Sequence, residues 1–350
     1  MKVAFFASAA SWHTLRWMKA LKSRVDLHLF AFDSNALLNN TDCTMIAPKV
    51  PNKFKYIFGQ NDFRTHLQKY QPDILHSHYA TGYGYLGMRM NSHPFVVSVW
   101  GSDIFEWPAK SPMHKYLLKT ILKKADAICA TSQKLYEGTT ALFPEFENKI
   151  QIIPFGIDTK LFQPAKQTQK SNEIVIGIAK LFDKIYQLDL LMKVVDELLE
   201  DYETIRLKIA GDGPERERLV NLRNTLKFKD NIEILPSIPN DILPKFLNSL
   251  DIFAIPSKFE SYGVAALEAS ACGLPVVGFN VGGLAEIVHH NESGYLVEGS
   301  NREDFKKALS DLINDKNLRQ RMGARGRALV LDKGDMNSSA DMLIDLYQKL

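Results

Sequence analysis

Short apolar runs of strand length alternate along the chain with longer stretches of helical period. The runs at 3–7 (VAFFA), 27–32 (LHLFAF), 95–100 (FVVSVW), 127–130 (AICA) and 150–154 (IQIIP) mark strands in the first half. Those at 173–179 (EIVIGIA), 205–210, 232–235, 251–255 (DIFAI), 276–279 and 294–297 do so in the second. Between them, 15–21, 63–70, 113–125, 188–199, 300–313, 318–329 and 336–350 read as helices. Strand followed by helix followed by strand is the rhythm of a doubly wound parallel sheet, and it runs twice. Residues 72–78 (PDILHSH) look like a further strand ending in a polar turn, and 48–61 like a loop or irregular insertion. The polar stretch 165–172 (AKQTQKSN) reads as a linker, with the domain boundary between 158 and 172.

The most informative stretch is 256–277. A polar loop at 257–261 follows the strand at 251–255. Val264, Leu267 and Ala271 then fall on one helical face, and Gly273 and Pro275 stop that helix before the next strand. In an open parallel sheet such a loop lies at the carboxyl ends of the strands, where ligands bind. Glu260 and Glu268 flank it. Gly263 allows close backbone approach, and the free N–H groups at the helix start suit a phosphate. The plain alternative is two solvated carboxylates on a surface helix.

Composition narrows the classes. At 350 residues there is room for two ordinary domains. A net charge of +3, from 43 basic and 40 acidic residues, is too balanced to argue for nucleic acid. Cys43, Cys129 and Cys272 are far apart and read as reduced thiols, which suits the cytoplasm. No run approaches the ~20 apolar residues of a membrane span. In 113–125 the lysines 115, 119, 123 and 124 lie off the apolar side. That helix is either a solvated basic face or a surface drawn to anionic lipid at the inner membrane face.

The run ESYGVAALEA at 260–269, followed by GLPVV at 273–277 and Gly282-Gly283-x-x-Glu286, resembles the donor-site signature of the family 4 retaining glycosyltransferases. The resemblance implies the GT-B architecture, two Rossmann-like α/β domains. Residues 1–158 would bind the acceptor and 172–335 the nucleotide sugar, with 336–350 crossing back onto the first. It implies that Glu268 holds the ribose and Glu260 the sugar ring. Lys180 and Lys184 would grip the diphosphate, helped by the amides of Ser261, Tyr262, Gly263 and Val264. Gly211 and Gly213 would form the turn beside the nucleotide, with Ile238 against the base. On the acceptor side it points to Ser8, Ser11, His13, His78 and Trp100. The chain departs from the pattern in three places. Ser8-Ala9-Ala10-Ser11 stands where many relatives have glycines, Gln187 lies where a glycine follows the second lysine, and Trp100 replaces a histidine. Asp103 is the ionisable group nearest Trp100, and it could equally cap the next helix.

What the resemblance implies is transfer of a hexose, with UDP as the commonest carrier, to a saccharide or lipid-linked acceptor of cell-surface polysaccharide or glycolipid synthesis. With no nucleophile evident, the expected route is front-face attack, the leaving phosphate taking the acceptor proton. No metal is required, since the lysines supply the charge. His76 and His78 share one strand face but lack a third ligand nearby. The rival readings are a non-catalytic partner subunit of the same fold and an epimerase or hydrolase on the same scaffold.

Overall fold

A computed structural model describes residues 1–35, 38, 42–48, 50–165 and 173–350. The linker-like residues 166–172 lie outside them. The chain forms two units, Met1–Gly156 with Met336–Leu350, and Ile157–Asp335. The division falls just ahead of the expected range, 158–172.

In the first unit the apolar runs become β1 (Lys2–Phe6), β2 (Asp26–Ala31), β3 (Cys43–Met45), β4 (Ile74–His78), β5 (Phe95–Val99), β6 (Ala127–Ala130) and β7 (Ile150–Ile152). All pairs are parallel, in the order β3-β2-β1-β4-β5-β6-β7. The second unit has β8 (Ile174–Ala179), β9 (Ile205–Ala210), β10 (Ile232–Leu235), β11 (Ile252–Ile255), β12 (Val276–Phe279) and β13 (Gly294–Val297). Their order is β10-β9-β8-β11-β12-β13, again parallel. In each sheet the first strand lies between the second and fourth, so the connections run outward in opposite directions from it. That reversal opens a crevice at the carboxyl edge. Burial on both faces explains why these strands read as continuous apolar runs rather than alternating ones.

The helices of the first unit are α1 (Trp12–Leu21), α2 (Lys55–Phe58), α3 (Gln60–Tyr70), α4 (Gly82–Met90), α5 (Ser102–Phe105), α6 (Pro112–Lys124) and α7 (Gln133–Leu142). Those of the second are α8 (Leu188–Leu198), α9 (Arg216–Thr225), α10 (Leu243–Leu247), α11 (Val264–Ala271), α12 (Arg302–Asn314) and α13 (Lys316–Lys333), and α14 (Met336–Lys349) returns to the first unit. Ser132 caps α7 by accepting the Leu135 N–H at 3.0 Å, and Asp315 caps α13 by accepting that of Leu318 at 2.8 Å. The region 48–61, expected to be irregular, holds a helical turn at Asn52–Phe54, then α2 and the start of α3.

Helix α14 packs beside α1, burying Ala340, Leu343, Leu346 and Tyr347, and a polar bond ties it to the sheet. The Tyr347 hydroxyl lies 2.5 Å from His76 Nδ1, and His76 Nε2 lies 2.8 Å from Ser98 Oγ. His78, two residues on, stacks on His76 with centroids 4.4 Å apart. Burial pushes the His76 ring well below the ordinary histidine range and His78 down to about 3. Both rings are therefore neutral at pH 7. The unfolded chain takes up protons on them below about pH 6.5, which the folded unit refuses. Stability should thus be level above about pH 6.5 and fall on acidification, by up to about 1.4 kcal/mol per pH unit per ring. Denaturant titrations of the wild type and His78→Phe across that range test this. A slope that His78→Phe leaves unchanged would remove His78 from the account.

Candidate active site

The second unit collects its chemistry at the carboxyl edge of the sheet. Lys180 follows β8, Gly211–Gly213 follow β9, Glu260–Val264 follow β11, and Gly282-Gly283 follow β12. Backbone bonds join these loops. Phe182 N–H donates to the Asp212 carbonyl at 2.8 Å, Lys258 N–H to that of Ile185 at 2.8 Å, and Gly283 N–H to that of Glu260 at 2.8 Å.

At the centre is a buried ion pair. Lys180 Nζ sits 2.8 Å from Glu260 Oε1 and 3.0 Å from Oε2, with the two side chains 13% and 6% exposed. The pair spans β8 and β11, the strands between which the connections reverse. Ser257, fully buried, donates its hydroxyl to Glu260 Oε1 at 2.7 Å. The Lys180 ammonium also lies over the Tyr186 ring, 4.4 Å from its centroid. Burial alone would lower the lysine's pKa, but Glu260 foremost, with Tyr186 and Glu268, outweighs it and raises the ammonium above its ordinary value. Glu268, on α11, is itself 6% exposed. Burial, with the Glu286 charge, pushes the Tyr262 phenol up.

Close backbone approach explains two of the glycines. Gly282 has φ +57°, and a Cβ there would fall 1.7 Å from the Glu260 carbonyl oxygen. A Cβ on Gly211 would lie 1.9 Å from the Lys180 carbonyl oxygen. Gly263 caps α11 in the left-handed region, leaving the amides that follow at the helix start. Ser261 and Val264 are half-buried beside it, and Ile238 is half-buried in the loop after β10. Lys184 is exposed, on the turn Lys184–Tyr186. Of the two lysines, Lys180 holds Glu260.

The first unit also gathers its expected residues at the carboxyl edge, but there the chemistry is aromatic. Trp100 meets His78 edge-on at 5.2 Å, Tyr79 at 6.0 Å, His13 at 5.7 Å and Phe155 at 5.3 Å. His13 stacks on Phe155 at 4.3 Å. Neither His78 ring nitrogen has a hydrogen-bond partner. Ser8 Oγ donates to Asp33 at 2.5 Å, and Ala9 N–H to the same carboxylate at 2.6 Å, which fixes the loop before α1. Ser11 precedes α1 without a side-chain capping bond. Asp103 is fully buried. Its carboxylate accepts the N–H groups of Ala80 at 3.0 Å, Trp100 at 3.1 Å and Gly101 at 2.8 Å. It lies inside α5, whose cap is Gly101. Burial pushes its carboxyl above the usual range, against those bonds. Asp103 ties the Trp100 loop to the end of β4. Among the described residues no group of three or more His, Cys, Asp or Glu side chains could hold a metal ion.

Comparison with known proteins fits this geometry. The model of the glycosyl transferases group 1 family matches residues 159–329, and that of the glycosyl transferase 4-like family matches 2–132. The chain belongs to the family 4 glycosyltransferases. Its relatives include the N-acetyl-alpha-D-glucosaminyl L-malate synthase of Bacillus anthracis, 28% identical over 76% of this chain and 72% of the relative. A D-inositol 3-phosphate glycosyltransferase of Corynebacterium jeikeium is 28% identical over 79% and 72%. Anabaena HepE, crystallised in complex with UDP-glucose, superposes with a TM-score of 0.83 at 17% identity over the full length of both chains. The fold of this glycosyltransferase is GT-B, with two Rossmann-like domains.

Two features of the glycosyltransferase were not legible from motif reading. Ser257 reads as a plain loop residue, although its spacing of three from Glu260 is that of a local side-chain bond. Gln187 takes the left-handed conformation, φ 46° and ψ 41°, at the start of α8, and its side-chain oxygen is buried without a partner. The departure from glycine thus falls on a backbone position that favours glycine. Gln187→Gly should raise stability by about 1 kcal/mol through relief of that backbone. Urea denaturation measures it, and a lowered midpoint would mean the glutamine side chain contributes more than its backbone costs.

Proposed function

We propose that the chain is a retaining hexosyltransferase. It takes a sugar from a UDP-sugar and passes it to a saccharide or lipid-linked acceptor in cell-surface polysaccharide or glycolipid synthesis. The observation behind this is the Lys180–Glu260 pair at the point where the connections of the second sheet reverse, beside the start of α11. The complex of HepE with UDP-glucose supports the choice of donor. On this reading the second unit binds donor and the first binds acceptor.

An arriving diphosphate competes with Glu260 for the Lys180 ammonium. Glu260, still held by Ser257, then accepts from sugar hydroxyls, and Glu268 accepts from the ribose. As the sugar–phosphate bond breaks, charge grows on the departing oxygen, and Lys180 with the α11 amides stabilises it. Lys184 adds charge from the exposed turn. The acceptor attacks from the same face as the leaving group, and the phosphate oxygen takes its proton. Trp100 supplies a flat wall for sugar and cannot move a proton. Ser8, Ser11, His13 and His78 line the acceptor side, with Asp103 as a positioning residue. Gly211, Gly213 and Ile238 shape the nucleotide site. No divalent metal takes part. The protein works in the cytoplasm, with α6 drawn to the anionic inner membrane face through its lysines.

Lys180→Ala should lower kcat for UDP release by roughly a hundredfold, since removing one preorganised donor to a developing anion costs about that much. Near wild-type turnover would end the diphosphate assignment. Glu268→Ala should weaken UDP binding by about 1.5–3 kcal/mol for each charged hydrogen bond lost, read by calorimetry. Unchanged affinity would remove the ribose role. UDP binding without turnover on any donor panel would favour the non-catalytic partner subunit.

A further inference from the structure

The segment Asn52–Phe58 puts its large apolar side chains on the outside. Phe54, Ile57 and Phe58 are 55%, 49% and 57% exposed. Large apolar side chains so exposed within five residues are unusual on a water-facing surface. Their display rests on a firm base. Tyr56, in the same turn, meets Phe32 edge-on at 5.4 Å and Tyr83 at 5.3 Å. Lys55 Nζ lies over the Phe32 and Tyr56 rings, at 5.2 and 5.4 Å. Gly82 has no room for a side chain, because a Cβ there would come within 2.4 Å of the Tyr56 ring. Tyr56 thus anchors the turn on the aromatic core, and the other apolar groups are turned to solvent. From 43 to 61 the sequence has lysines at 49, 53 and 55 and no acidic residue. Apolar tips beside the exposed Lys53 match a surface that is apolar inside and negative outside.

We propose that Phe54, Ile57 and Phe58 insert into the interfacial layer of an anionic lipid bilayer, with Lys53 at the headgroups. This is a second element beside the lysines of α6. Helix α2 packs on α4 and α4 on α6, where Met113 and Tyr116 are exposed among Lys115, Lys119 and Lys123. The inference extends the membrane reading of α6 but does not depend on it. Lysines attract from a distance and are screened by salt, whereas inserted side chains hold the protein after it arrives.

The full chain is tested with vesicles of phosphatidylcholine, with and without phosphatidylglycerol. The combined variant Phe54→Ser, Ile57→Ser, Phe58→Ser should fold like the wild type, because these side chains already face water. It should lose roughly a hundredfold in partitioning onto the anionic vesicles, from the apolar area no longer buried. Charge reversal at Lys115, Lys119 and Lys123 should instead reduce binding at low salt only, so failure of the α6 reading is seen separately. Phe58→Trp should show blue-shifted emission that brominated lipid quenches. Wild-type partitioning by the triple variant, or unquenched Phe58→Trp on bound vesicles, would overturn the proposal. So would a protein that ignores vesicles yet forms dimers that the triple variant abolishes, since the patch would then join two copies of the chain.

Discussion

A lysine and a glutamate held together out of water form the constraint around which the second unit is arranged. Taking both charges from solvent costs several kcal/mol per ion, and their attraction offsets this only with good geometry and further bonds. Those bonds are present. Ser257 donates to Glu260, and Tyr186 covers Lys180 with its ring face. Removing one partner would leave a buried charge uncompensated, a loss of about 3–5 kcal/mol. The pair therefore locks the loops after β8 and β11 to each other. A diphosphate that takes the lysine exchanges one anion for another and leaves no buried cation bare. The resting site is thus prepared for an anion without exposing an unpaired charge.

That pair also explains why the surrounding backbone must be so small. The Glu260 carbonyl accepts from Gly283 and fills the space a Cβ on Gly282 would need. The Lys180 carbonyl does the same at Gly211. Each glycine is required because the backbone bearing a charged side chain passes directly over it. The motif and the ion pair are therefore one structure. A larger residue at Gly282 would displace Glu260 from Lys180 before it touched any ligand.

Most of the sheets could be read from the sequence because both faces are buried, so each strand is an unbroken apolar run such as EIVIGIA. What escaped had weak local signal. β3 is three residues at a sheet edge with no buried side chain. α4, GYGYLGMRM, has three glycines and reads as loop by propensity, yet packing on β4 makes it helical. α9 buries only Leu219, so it has almost no apolar period. At the site, the residue types and their order could be read, because a motif records them. The pairing could not. That Lys180 faces Glu260, eighty positions on, follows from strand order, which periodicity does not record. Asp103 shows the same limit, since the sequence places a carboxylate beside Trp100 but does not record the three backbone N–H groups that it accepts in the fold.

The two sheets share one topology and differ in what they place at its opening. Both wind outward from their first strand, and both bring loops together where the direction reverses. In the second unit that position holds charge, with backbone amides nearby. In the first it holds rings, Trp100, His13, His78 and Phe155, around a loop that the buried Asp103 ties down. Charge with amides suits a diphosphate, whose recognition is electrostatic. Flat aromatic faces suit a sugar ring, whose C–H surface is apolar. The neutral state of His78 fits the same division, because burial among those rings disfavours its cation. One fold used twice thus sets charge with amides at one crevice and aromatic faces at the other. The chemistry at each crevice is set by a few side chains at strand ends rather than by the sheets beneath them.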